Sequence, residues 1–236
     1  MTTLPSHQAA LSEVGRVGRL DLRYERRGQR TILSHSRSSS PWHLFPPMYL
    51  DASGCAFTSL VNPSGGIVAG DHLSIHASLE RDAHAVLSTP SANCVYRSSG
   101  EEARQTVDLS VASGAILEWF PEVTIPFAGS RFTQRMDVRL ATNSIALIWD
   151  SLASGRIARG ERWAFASLRN EIRITTASGA QLLERYAVQP EQGQDRGCGY
   201  PGQGVLSSRR GEGLDALVLE QPQWGGDAAH GPEGLD

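Results

Sequence analysis

The chain contains no lysine; all 22 of its basic residues are arginine. That excludes a phosphate-loop lysine and Schiff-base chemistry, both of which need the ε-amine. Cysteine is scarce as well: Cys55, Cys94 and Cys198 stand far apart, with no C-x-x-C pair. Neither a zinc knuckle nor a disulfide framework follows from such spacing. No apolar run reaches the length of a membrane span, and the N-terminal MTTLPSHQAALSEVG lacks the basic start and apolar stretch of a secretion signal. There is only a small acidic excess of charge, 22 basic residues facing 25 acidic ones, so no footprint for nucleic acid or an anionic membrane is present. The expectation from these absences is a protein of a reducing, aqueous compartment.

What the sequence does have is alternation. Leu20, Leu22 and Tyr24 alternate with charged residues, as a half-buried strand requires. Leu73, Ile75, Ala77 and Leu79 repeat the pattern, as do Val107, Leu109 and Val111. So do Phe132, Gln134, Met136, Val138 and Leu140, set against Thr133, Arg135, Asp137 and Arg139. Turns at Asp82, Gly114, Asn143 and Gly179 lie 32, 29 and 36 residues apart, and ASGAILE resembles ASGAQLLE. The unit is an alternating strand, a tight small-residue turn and a second short strand, which is read as a hairpin. An isolated hairpin is marginal in water, so the units must stack. The fold class expected is all-β with little helix: stacked hairpins in a flattened β-helix-like or sandwich-like arrangement. One domain is expected over residues 1–236, with 1–15 and roughly 221–236 expected to be flexible.

GGIVAGD, residues 65–71, looks at first like a phosphate loop. It lacks the lysine, and HLSIHASL after it has the two-residue period of a strand, so no helix N-terminus is there to hold an anion. A strand-to-strand corner that needs glycine backbone accounts for Gly65, Gly66 and Gly70. Asp71 then either caps its own turn or faces a metal or partner. The stretch WDSLASGRIARGE gathers Asp150, Arg156, Arg159 and Glu161, either as a salt-bridged surface loop or as a site. Glu118 and Glu122 flank Trp119-Phe120-Pro121, and paired carboxylates on a β-helix face would suit a carbohydrate-active enzyme. His72 and His76 stand about 13 Å apart if they share a strand. His76 and His84 are placed to face each other across a hairpin. No H-E-x-x-H, G-x-S-x-G or nucleophile–base motif occurs.

Five stretches, TILSHSRSSSP, NPSGGIVAGDHL, LSTPSANCVYRS, EWFPEVTIPFAGSRF and IWDSLASGRIARGE, together resemble the UreD (UreH) family of urease accessory proteins. The resemblance implies an all-β, helix-like stack and a non-enzymatic chaperone role in nitrogen metabolism: insertion of nickel into apo-urease in the cytoplasm. It implies UreF, the GTPase UreG and the urease apoprotein as partners. It implies no tightly bound cofactor, and nickel held only transiently. Carried onto this sequence, the motifs give Gly65, Gly66, Gly70, Gly155 and Arg156 as structural or partner positions, and Asp71, Asp150 and Glu161 as groups along a nickel path. Two positions depart from the family pattern: Ala128 stands where an aspartate is common, and Cys94 where a lysine is common. Beyond about Val205 the resemblance fades.

Overall fold

The computed structural model describes residues 17–98 and 100–190, together with two two-residue strands at 206–207 and 218–219. The flexible ends expected at 1–15 and 221–236 lie outside these residues, as does Cys198. The strands are β1 (Val17–Arg27), β2 (Arg30–Ser38), β3 (His43–Leu44), β4 (Ala56–Val61), β5 (Gly66–Ile67), β6 (His72–Leu79), β7 (His84–Ser88) and β8 (Asn93–Val95). They continue with β9 (Ala103–Val111), β10 (Ile116–Phe120), β11 (Thr124–Pro126), β12 (Arg131–Leu140), β13 (Ile145–Ile148), β14 (Ser167–Thr176) and β15 (Gln181–Val188). The short strands β16 (Leu206–Ser207) and β17 (Val218–Leu219) pair antiparallel with each other. A single 3-10 turn, Ile157–Arg159, interrupts the loop before β14.

The chain winds through three sheets in turn. A seven-stranded sheet runs β15-β14-β12-β9-β6-β1-β2, a five-stranded sheet β13-β10-β7-β4-β3, and a three-stranded sheet β11-β8-β5. Successive coils pair in parallel: Arg104 lies beside His72, Phe132 beside Ala103, and Ser167 beside Arg131. These offsets of 32, 29 and 36 residues equal the turn spacings in the sequence. The repeat is therefore one full coil of a flattened β-solenoid.

The strand-turn-strand units are present, but three of the four are arches rather than paired hairpins. β6 and β7 belong to different sheets and face each other through the core, as do β9 and β10, and β12 and β13. Each arch closes with a backbone hydrogen bond: Ala83 to Glu80, Ala115 to Ala112 and Ser144 to Ala141. Tips are tied to one another as well, Asp82 N–H to Ser113 O and Gly114 N–H to Asn143 O. At Gly179 the unit is a true hairpin, β14 antiparallel to β15. The arms explain the difference. In β10, Leu117 and Trp119 are buried, so that arm turns inward, whereas no residue of β15 is fully buried, so it stays flat on the sheet edge. Alternation alone does not separate the two outcomes, because both leave one apolar face per arm.

The core lies between the long and the middle sheet. Leu73, Ile75, Leu79, Val107, Leu109, Met136 and Val138 meet Leu87, Leu117, Trp119, Ala146 and Ile148 there. Each large apolar side chain so covered contributes roughly 1.5–3 kcal/mol. Tyr24 spans both layers, its hydroxyl donating to Thr58 Oγ1 at 2.8 Å. No helix among the described residues is long and apolar enough to cross a membrane.

Candidate functional site: a stacked corner and its interior

The short third sheet gathers the stretches that are far apart in sequence. Gly66 pairs with Cys94 and Ile67 with Val95; Cys94 pairs with Ile125 and Val95 with Pro126. Leu152 adds a fourth level by bridging to Thr124. GGIVAGD, SANCVYRS, TIPFAGS and WDSLASGRIARGE are thus successive levels of one corner. Gly66 is required by this stacking, since a Cβ there would stand 2.2 Å from the Cys94 carbonyl oxygen. Asn62 closes the corner from below: its amide donates to Gly66 O at 2.8 Å and its Oδ1 accepts from Ser64 N–H at 3.1 Å.

Asp71 ends the same turn. It is 6% exposed, and its Oδ2 accepts the Val68 N–H at 2.8 Å. Its own N–H donates to Val68 O, and its carbonyl accepts from Arg104 N–H in the next coil. The carboxylate therefore closes a turn on which the stack rests.

Glu161 sits in a different setting. Arg156 Nε donates to Glu161 Oε2 at 2.8 Å, and a second guanidinium nitrogen reaches Oε1, giving a two-point pair. The Ala128 N–H also donates to Oε2, at 3.0 Å. The Arg156 bonds first, and the Ala128 amide second, hold the Glu161 carboxyl below its usual range. The guanidinium lies 3.9 Å above the centre of the Phe127 ring, and Phe127 in turn meets Tyr96 edge-on. Gly155 permits this fold-back: its φ is 130°, and a Cβ there would stand 2.1 Å from the Glu161 carbonyl oxygen. Ala128 has no polar side chain, and it is its backbone amide that seats Glu161.

Asp150 faces the interior. Gln105, Gln134 and Asn170 occupy neighbouring register positions on the inner face of the long sheet and are all buried. Gln105 donates to Gln134 at 3.3 Å, and Gln134 donates to Asn170 at 3.2 Å and to Asp150 at 3.4 Å. Asn170 donates to Asp150 Oδ2 at 2.7 Å and to the Tyr186 hydroxyl at 3.1 Å. Burial pushes the Asp150 carboxyl up, against the two amides that stabilise its charge. Burial also pushes up Tyr186 and Glu184, with Asp150 adding to both. Asp150, Gln105 and Gln134 line a cavity of about 50 Å³, together with Asn62, Trp119 and Gly66. That volume holds a few water-sized particles at most. The indole N–H groups of Trp42 and Trp119, both in its wall, have no acceptor among the described residues.

The three carboxylates of the expected metal path thus stand in three settings: a turn cap, an ion pair and a buried amide ladder. Among the described residues, the group of donors close enough to share an ion is a different one, Cys55, His84 and Glu118. His76 and His84 do not face each other. His76 lies on the long sheet with Nδ1 3.2 Å from Asp108 Oδ2, and His84 lies on the middle sheet beside Glu118. The unit between them is an arch, so their strands never pair. Glu118 and Glu122 do not share a cleft either, since Glu118 is bound to His84 on the outer face while Glu122 borders the cavity.

A family profile described as UreD urease accessory protein matches residues 16–209. A urease accessory protein UreD of Delftia acidovorans is 42% identical over 169 residues, covering 71% of this chain and 54% of the relative. The corresponding protein of Acaryochloris marina is 38% identical over 168 residues, 71% of this chain and 59% of its own length. That of Deinococcus radiodurans is 36% identical over 191 residues, 80% and 68% respectively. The chain thus spans a little over half the length of the first two relatives. Profile, identity and the order of stacked motifs agree that the chain belongs to the UreD family of urease accessory proteins.

Proposed function

We propose that this chain acts in urease maturation as a non-catalytic scaffold in the cytoplasm. In this reading it assists delivery of nickel to the urease apoprotein, in company with UreF and UreG. The observation that carries the proposal is the corner: four of the five stretches by which the chain resembles its family form one continuous column beside a polar interior. Nickel is cargo here. Asp71, Asp150 and Glu161 offer single carboxylates, each already engaged by protein donors, which suits an ion passed on rather than stored. Gly65, Gly66, Gly70 and Gly155 shape the column, and Arg156 holds Glu161 in it.

The test separates shape from charge. Asp71→Asn keeps an oxygen for the Val68 amide and removes the charge; Asp71→Ala removes both. Glu161→Gln makes the matching change at the ion pair. Each variant is co-expressed with apo-urease and the other accessory proteins, and urease activity is measured alongside the amount of soluble variant. The metal-path assignment expects Asp71→Asn and Glu161→Gln to stay soluble and lose most of the activation. Full activation by both would reduce those carboxylates to structural parts. Capture of UreF and apo-urease by the unmodified chain tests the partners separately.

A further inference from the structure

The structure assigns a second feature to the outer face of the middle sheet: we propose that Cys55, His84 and Glu118 form a binding site for a borderline transition-metal dication of the zinc class. This goes beyond the maturation role and does not rest on it.

The register builds the cluster. Ala56 pairs with Ala85, and Ala85 with Leu117; all three are buried and point inward. Strand alternation therefore turns Cys55 and His84, one residue earlier, to the outside, side by side. Glu118, one residue after Leu117, joins them on the same face. One donor atom from each residue lies within 4.8 Å of the other two. His84 Nε2 is 2.7 Å from Glu118 Oε1. The His84 backbone is pinned by its N–H donating to Thr31 Oγ1 at 2.8 Å.

Tetrahedral zinc, with bonds of about 2.0–2.3 Å, holds its donors roughly 3.3–3.8 Å apart. To reach that spacing the His84–Glu118 contact opens from 2.7 Å and donors now up to 4.8 Å apart draw closer. A thiolate, an imidazole and a carboxylate favour zinc, cobalt or nickel over magnesium or calcium. Three protein donors leave a fourth position for water. Asp51 lies close enough to interact electrostatically with both His84 and Cys55, which adds negative charge around a cation. Side-chain exposures of 25% for His84 and 30% for Glu118 leave the group reachable from solvent. The site differs from the cavity in direction: the cavity is reached from the inner face, this cluster from the outer one.

Burial, then Glu118 and Asp51, push the Cys55 thiol up to about 11. A metal must displace that proton, so binding strengthens as pH rises through neutrality.

Cobalt(II) is the probe, titrated into the purified full chain. The expected result is a sulfur-to-cobalt charge-transfer band with enhanced visible d–d bands, saturating at one ion per chain and abolished by added zinc. Cys55→Ser removes the charge-transfer band. His84→Ala and Glu118→Gln each weaken binding by ~10-fold or more, as losses around a metal site do. The Cys94→Ser, Cys198→Ser double variant keeps the band. A band that survives Cys55→Ser, or the lack of any band, would leave His84–Glu118 as a hydrogen-bonded pair only. A second measurement needs no variant. The three cysteines fall on separate tryptic peptides, Cys55 alone between Arg37 and Arg81. Zinc should slow alkylation of that peptide and not of the one carrying Cys94; equal rates with and without zinc would overturn the site.

Discussion

Each coil has two ends, and they are built on different principles. At the arch end, Glu80–Ala83, Ala112–Ala115 and Ala141–Ser144 are near-copies, each four residues long and closed by one backbone hydrogen bond. At the corner end no two levels are alike. One carries the Asn62 and Asp71 caps, the next two share the Tyr96–Phe127 contact, and the last has the Arg156–Glu161 pair and the Gly155 fold-back. The arches need only a small residue that accepts a left-handed turn, and glycine, aspartate and asparagine each fill that place once: φ is 73° at Gly114, 59° at Asp82 and 57° at Asn143. The corner needs particular side chains. Regular parts set the coil length, and irregular parts set the chemistry.

The largest effect that would break this contrast is at glycine. Gly66→Ala drives a Cβ into a backbone carbonyl 2.2 Å away and should cost about 3 kcal/mol, the upper end of overpacking. Gly114→Ala meets only the movable Asp82 side chain and a left-handed φ, and should cost about 1–2 kcal/mol. Urea unfolding midpoints measure both; equal losses would mean that the two ends tolerate change alike.

Next come the two carboxylates of the corner, whose pH effects have opposite sign. Glu161 has a lowered pKa in the folded chain, so its stabilisation is present above the unfolded value and is lost as pH falls through the folded one. Asp150 has a raised pKa, so stability falls as pH rises from the unfolded value through the folded one. Glu161→Gln should therefore destabilise at neutral pH, with the loss fading in acid. Asp150→Asn should stabilise relative to the unmodified chain at neutral pH, with the gain fading in acid. Thermal unfolding followed from neutral pH down to below the usual carboxylate range reads both, and curves of the same sign would contradict the two environments assigned. The smallest effect belongs to the outer face of the long sheet. Arg135→Ala breaks an exposed pair with Asp137 and should change stability by no more than about 0.5 kcal/mol.

The long strands were legible because half their residues face a core and alternate accordingly; β6, β9 and β12 bury Leu73, Val107 and Met136 as their patterns require. The coil length was legible in the turn spacing. The pairing was not, since an arch and a hairpin present the same alternation, and only the weak burial of β15 distinguishes the last unit. Gln134 sat in the inward set of β12 and was a visible sign of a polar interior; Gln105 and Asn170 join it only through the register. Asp71 and Glu161 stand out in the sequence as carboxylates beside glycines, but their contacts with the Val68 amide and Arg156 depend on how each turn folds back. Cys55, His84 and Glu118 escaped because they are 29 and 34 residues apart. Such separations place residues in contact only once the coil is known to be about that long.

The most direct measurement of the central claim is the nickel content and activity of urease produced with and without this chain, all other accessory proteins being present. The account predicts that the chain raises both well above the level reached without it, and that Gly66→Ala, which disrupts the corner, returns them to that level. Urease equally loaded and equally active in the chain's absence would contradict the claim.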